Sequence, residues 1–161
     1  MGLDMYLYLE KYESCGTWHK DYEEKAVGFY PAELKKFGED ISKINFMSKQ
    51  CQYQVGYWRK ANAIHNWIIS HCAHGDDNCR MVCICQDDAF ALLNDCKAVY
   101  RDHSLAPKLL PTQDGFFFGS TEYDEDYFYD IEYTAELLQA VLGFLETKEG
   151  KNYDIAYEAS W

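Results

Sequence analysis

The sequence predicts an α+β fold: about three helices packed on a small, mostly antiparallel sheet, in a single domain spanning residues 1–161. Three observations carry this expectation. Two central segments repeat apolar residues at helical spacing, a longer third one does so further on, and both chain ends alternate like strands.

In chain order, residues 2–9 read as a first strand, rich in Tyr, Leu and Met. Residues 10–25 are polar and read as a loop. Residues 26–30 read as a strand, 31–37 as one or two helical turns, and 52–56 as another strand. A first firm helix is expected over residues 58–72, with Ala61, Ile64, Ile68 and Cys72 forming its apolar stripe. The turn chemistry of His74, Gly75, Asp76, Asp77 and Asn78 ends it. A short strand over 79–85 precedes a second helix over 86–101, whose Asp87 and Asp88 suit the positive end of the helix dipole. Its apolar face is Ala89, Leu92, Leu93, Cys96, Val99 and Tyr100.

Pro107 and Pro111 bracket an extended stretch, and Gly115 and Gly119 enclose three phenylalanines. The third helix starts at Asp124 or Tyr127 and ends near Glu146, with Ile131, Ala135, Leu138, Leu142 and Leu145 on one face. Residues 153–161 read as a last strand, paired with the first.

Composition narrows the function classes. A chain of 161 residues with 48% hydrophobic content can bury a real core. The formal charge of −12 argues against binding nucleic acid or an anionic membrane, which need a basic surface. A small anion needs only a local basic island and stays possible. The first residues hold Asp4 and lack a basic n-region, no apolar run approaches membrane-spanning length, and seven cysteines are an odd number. Reduced thiols in a cytoplasm are the expectation.

The most informative stretch is Tyr57-Trp58-Arg59-Lys60-Ala61-Asn62-Ala63-Ile64-His65-Asn66-Trp67. Read as the start of a helix, it places Trp58, Asn62 and His65 on one narrow face. Arg59 and Lys60 then fall in the first turn, where free N–H groups already favour an anion. Tyr57 and Trp58 offer rings for a base to stack on. The bland alternative has the tryptophans in the core and the cations paired with some of the many acids.

A second stretch, residues 109–120, offers Thr112, Gln113 and Ser120 as neutral hydrogen-bonding groups, with Phe118 beside them. Alone it reads more simply as a core strand. His71, Cys72, His74, Cys79, Cys83 and Cys85 invite a metal, yet there is no Cys-x-x-Cys pair, so neither metal nor other cofactor is expected. Residues 122–132 interleave acids with aromatics and read as a solvated helix start. The sharper alternatives there are a face that imitates DNA or a divalent-metal site. For acid–base chemistry His65 is the best candidate, with Asp4, Glu122 or Asp124 as partner. No recognised hydrolase or nucleotide-loop motif accompanies it.

The segments 1–7, 56–67 and 110–120, with the closing Ser160-Trp161, resemble a family of small bacteriophage and prophage proteins of undefined function. The resemblance implies origin and a host-cell cytoplasmic setting, and it brings no catalytic residues with it. By analogy, a small phage accessory protein acts against host defence, and such defences signal through cyclic nucleotides or ADP-ribose derivatives. The resulting expectation is a protein that binds and sequesters such a molecule through Tyr57, Trp58, Arg59, Lys60, Asn62, His65, Thr112, Phe118 and Ser120. An enzyme that degrades the signal and an acidic DNA mimic are the alternatives, and a homo-oligomer is open.

Overall fold

Alternating burial sets the sheet. In β1 (Asp4–Gly16), Met5, Leu7 and Leu9 are buried, while Asp4, Tyr6 and Tyr8 between them are partly exposed. The computed structural model describes residues 2–16, 18, 20–21 and 46–161. β1 is followed by β2 (Phe46–Arg59), helix α1 (Asn62–Cys72), β3 (Val82–Ile84) and helix α2 (Gln86–Arg101). A one-turn helix α3 (Ala106–Leu109), helix α4 (Glu125–Leu145) and β4 (Asp154–Ser160) complete the order. The strands lie in the order β2-β1-β4-β3, and β4 is antiparallel to both β1 and β3. Among the described residues this is an α+β architecture, with α3 as the one helix beyond the three expected.

Contacts divide the chain into two compact units, Met1–Glu10 with Gln52–Trp161, and Lys11–Cys51. In the second, the Lys11 ammonium pairs with Glu13 and holds its carboxyl below the usual range. Everything below concerns the first unit.

Its core joins Met5, Leu7, Ile155 and Tyr157 of the sheet to Ile64 and Ile68 of α1, Leu92 and Val99 of α2, and Ile131 and Leu138 of α4. Gly56 lets α4 approach: a Cβ there would lie 2.3 Å from a Leu137 methyl and 3.2 Å from Leu7. α2 and α4 follow the expected periodicity, except that Tyr100 is 52% exposed and not part of the core. No described helix is long and apolar enough to cross a membrane.

Four boundaries differ from expectation. β1 continues through residues 10–16, because polar residues alternate in a strand as readily as apolar ones when one side is not core. The short strand expected over 79–85 narrows to Val82–Ile84. Pro107 sits in the first turn of α3, where its missing N–H costs nothing, so the stretch before Pro111 is not extended throughout.

The largest difference is at Trp58. The segment Tyr53-Gln54-Val55-Gly56-Tyr57-Trp58 is rich in β-formers and stays extended to Arg59. Lys60 then turns the chain with φ of 64°, and α1 begins at Asn62. The readings for 26–30 and 31–37 lie outside the described residues.

Candidate functional site

A cleft of about 450 Å³ opens where β2 ends, α1 begins and α4 begins. The first wall is Arg59 and Lys60 followed by Ala61, Asn62, Ala63 and Ile64, the cap and first turn of α1. Thr112, Gly119, Ser120 and Glu122 come from the segment between α3 and α4. The opposite wall is the start of α4, with Asp124, Asp126, Tyr129 and Asp130.

Buried polar groups fix this shape. Asn62 is buried, and its amide nitrogen donates to the carbonyls of Phe118 and Ser120 at 3.0 and 2.8 Å, while its oxygen accepts from Gln113 N–H at 2.9 Å. One side chain thus clamps three points of the loop. Main-chain bonds add to this: Lys60 N–H donates to Leu3 O at 2.8 Å, and Leu3 N–H donates to Phe117 O at 3.0 Å. Gly119 has φ of 89°, and a Cβ there would lie 3.0 Å from Lys60 Cβ. Two left-handed residues therefore meet at the cleft rim. The lysine is the notable one, since a non-glycine in that region carries strain that folds tend to retain at functional places.

The electrostatics are divided. No side chain caps the N-terminus of α1; Asn62 N–H donates to Lys60 O at 2.8 Å, and the positive end of the helix dipole lies beside Arg59 and Lys60. Neither cation forms an ion pair with any described residue, although four carboxylates share the cleft. The bland expectation that these cations are neutralised by neighbouring acids does not hold among the described residues.

Asp124 caps α4 by accepting from Tyr127 N–H at 3.0 Å. Asp130 is half-buried, and burial, with Asp126 and Asp124 nearby, pushes its carboxyl up to about 6. An unfolded aspartate titrates near ~3.9, so between there and about 6 the folded state binds more protons and stability falls as pH rises. Asp130→Asn removes the unfavourable charge. Its melting temperature should exceed that of the unaltered protein by about 2–4 °C at pH 8, the shift roughly 1 kcal/mol gives at this size. At pH 4 the two should coincide; an equal difference at both pH values would contradict the burial account.

Of the residues expected at a site, Arg59, Lys60, Asn62, Thr112 and Ser120 line this cleft. Arg59 and Lys60 do so from the strand end and the turn, not from the first turn of the helix. Tyr57, Trp58, His65 and Phe118 do not line it. The Trp58 ring is buried, edge-on to Tyr133, and its Nε1–H donates to Thr134 Oγ1 at 2.8 Å, so it has no face for a base. Tyr57 is 42% exposed and donates its hydroxyl to Asp4 at 2.5 Å.

His65 is 0% exposed. Its Nδ1 lies 2.7 Å from the Tyr157 hydroxyl and its Nε2 3.1 Å from Asp77 Oδ2. A neutral ring with its proton on Nε2 satisfies both contacts. Asp77 was not among the partners expected, and Asp4, Glu122 and Asp124 are not His65's hydrogen-bond partners. The ring is also edge-on to Phe118 and Trp161. It supports the loop from beneath and has no access to a bound molecule.

The sequence reads the acids of α4 as a solvated helix start and does not join them to Arg59 and Lys60. Their alternation with Tyr127 and Tyr129 was visible, but nothing local showed that a fold would set them across from Arg59. The cysteine and histidine cluster does not converge: among the described residues no three His, Cys, Asp or Glu side chains are arranged to hold a metal. Cys72 is half-buried, which pushes its thiol up to about 12, and Cys85 caps α2 by accepting from Asp88 N–H. His71 stacks on Trp67.

No protein family, curated protein or solved structure matches the chain. The site's chemistry has to be read from its own geometry.

Proposed function

We propose that the protein binds and sequesters a small nucleotide-derived molecule in this cleft. The observation that carries the reading is the start of α1, which no side chain caps, flanked by Arg59 and Lys60, which form no ion pair among the described residues, opening into a space of nucleotide size. A phosphate there gains about 0.3–1 kcal/mol from the helix end and more from a bidentate guanidinium contact. Across the cleft, Asp126 and Asp130 accept hydrogen bonds from ribose hydroxyls or base amino groups, as acidic residues do in dinucleotide sites. Thr112 and Ser120 supply neutral contacts between the two ends.

Binding without turnover is favoured by the fate of His65, which is spent on Tyr157 and Asp77. The setting proposed for such a protein is that of a phage accessory factor acting against a host signal. One feature favours a second reading, an enzyme that degrades the same molecule: burial beside Asp126 and Asp124 raises the Asp130 carboxyl to about 6 inside the cleft.

A recovery assay separates the two. The protein is mixed with cyclic dinucleotides, cyclic oligonucleotides and ADP-ribose derivatives, filtered, and the retained fraction is heat-denatured and chromatographed. Sequestration predicts one compound depleted from the filtrate and released intact. Product in either fraction means catalysis, with Asp130 the first residue to change. Every compound left in the filtrate would remove both readings.

A further inference from the structure

The cleft keeps its charges apart. Arg59 and Lys60 stand on one wall, while Asp124, Asp126 and Asp130 stand on the other, at the start of α4. Neither cation has a carboxylate within ion-pair distance among the described residues.

The two cationic side chains also converge. The Lys60 stem runs along Gly119, where an added Cβ would lie 3.0 Å from Lys60 Cβ and 3.1 Å from its Cδ. The stem then reaches Gly2, where an added Cβ would lie 3.2 Å from Lys60 Cε and 3.9 Å from both Nε and Nη2 of Arg59. Two glycines leave room for the lysine, and one of them has both cationic heads beside it. Arg59 also acts on the Tyr57 phenol, but the hydrogen bond to Asp4 raises that phenol above its ordinary value and keeps it neutral. Like charges held side by side in this way favour an anion that brings two negative charges to one place.

The far wall decides how those negative charges are spaced. A cyclic dinucleotide or cyclic oligonucleotide carries its phosphates around a ring. With one phosphate on Arg59 and Lys60, another turns toward Asp126 and Asp130, and that contact is repulsive. A diphosphate keeps both charges at the basic corner and leaves neutral hydroxyls to donate to the carboxylates. The rings give the same answer. Tyr127 is buried and donates its hydroxyl to Leu110 O, so Tyr129, 68% exposed, is the one open ring among the described lining residues. It suits one base, not two.

We infer that the ligand of this cleft is a nucleoside diphosphate whose second phosphate carries an uncharged, hydroxyl-rich group, as in ADP-ribose, with the diphosphate on Arg59 and Lys60. The assignment rests on the cleft reading above and narrows it from nucleotide-derived molecules at large to those with two adjacent phosphates.

Calorimetric titration of ADP-ribose, AMP and cyclic di-AMP into the full chain compares two adjacent phosphates, one phosphate and two separated ones on the same base. ADP-ribose should bind about tenfold or more tightly than either of the others. Lys60→Gly removes one cationic head and gives the turn the residue that its φ of 64° favours. It should weaken ADP-ribose binding about tenfold with no fall in melting temperature. Asp126→Asn combined with Asp130→Asn removes the repulsive wall and should narrow the preference for ADP-ribose over cyclic di-AMP. Cyclic di-AMP bound as tightly as ADP-ribose, and weakened by Arg59→Ala, would overturn the diphosphate assignment while leaving the cleft reading intact. ADP-ribose bound equally by the unaltered protein and Lys60→Gly would also overturn it. No binding of any of the three would remove both.

Discussion

Gly150→Ala should cost the protein a large share of its stability. Gly150 is buried in the turn that leads from α4 to β4, and an added Cβ would lie 2.0 Å from the Phe144 carbonyl oxygen. The same Cβ would meet the carbonyl carbon at 2.6 Å and Leu145 Cα at 2.8 Å. These are main-chain atoms of a helix end, so no rotamer change relieves the collision. The backbone has to shift, and with it the hydrogen bonds Gly150 N–H to Thr147 Oγ1 and Tyr153 N–H to Gly150 O. Because Tyr153 leads into the central strand β4, the displacement reaches the sheet. A cost of about 4 kcal/mol is expected, which lowers the melting temperature by roughly 8–16 °C in a chain of this size. Gly143→Ala is the matched contrast. A Cβ there has nothing within 4 Å, the position is an exposed helix interior, and it should stabilise by roughly 0.5–1 kcal/mol. Thermal melts of both variants check the pair; a Gly150→Ala protein melting with the unaltered one would refute the packing described for this turn.

His65→Ala should be the second large loss, and a loss of stability ahead of any loss of activity. The substitution deletes a fully buried ring, leaves the Tyr157 hydroxyl without its partner and leaves Asp77 Oδ2 as bare as Oδ1, which already has none. An unpaired buried hydroxyl costs about 1–3 kcal/mol. With the cavity left by the ring and the orphaned carboxylate, the total should reach roughly 3–5 kcal/mol. Pairing His65→Phe with Tyr157→Phe tests the cause, since two apolar partners demand no hydrogen bond from each other. The double variant should be more stable than His65→Phe alone in urea unfolding. Purely additive losses would mean that the two groups are not coupled.

How much of this was legible beforehand depended on the range over which the deciding interaction acts. α2 and α4 were visible because their stripes and acidic first turns are local, and Asp124 caps α4 as its residue type suggests. The pairing of the two chain ends followed from their alternation. The start of α1 was misplaced because Arg59 and Lys60 are good helix formers sitting between an aromatic strand and a helix. Only the backbone of Lys60, held by Leu3 O, marks the break.

The candidate site was half legible for a related reason. Arg59, Lys60, Asn62, Thr112 and Ser120 belong to segments that stood out chemically, and the fold gathers them. Trp58 and His65 stood out equally, but the fold turned them inward, where Thr134, Tyr157 and Asp77 satisfy their polar atoms. Partners that lie many residues away in sequence are chosen by tertiary packing, and one sequence carries no record of that choice.

The most direct test of the central claim is a calorimetric titration of cyclic dinucleotides and ADP-ribose derivatives into the unaltered protein and into Arg59→Ala. Arg59 is exposed at the cleft wall and without an ion pair among the described residues, so its loss should leave the melting temperature unchanged. The account predicts that at least one compound binds the unaltered protein and binds the variant about tenfold or more weakly, the equivalent of roughly 1.4 kcal/mol for a lost charged contact. Equal affinity for both proteins would move the ligand out of this cleft, and no binding by any compound would contradict the proposed function itself.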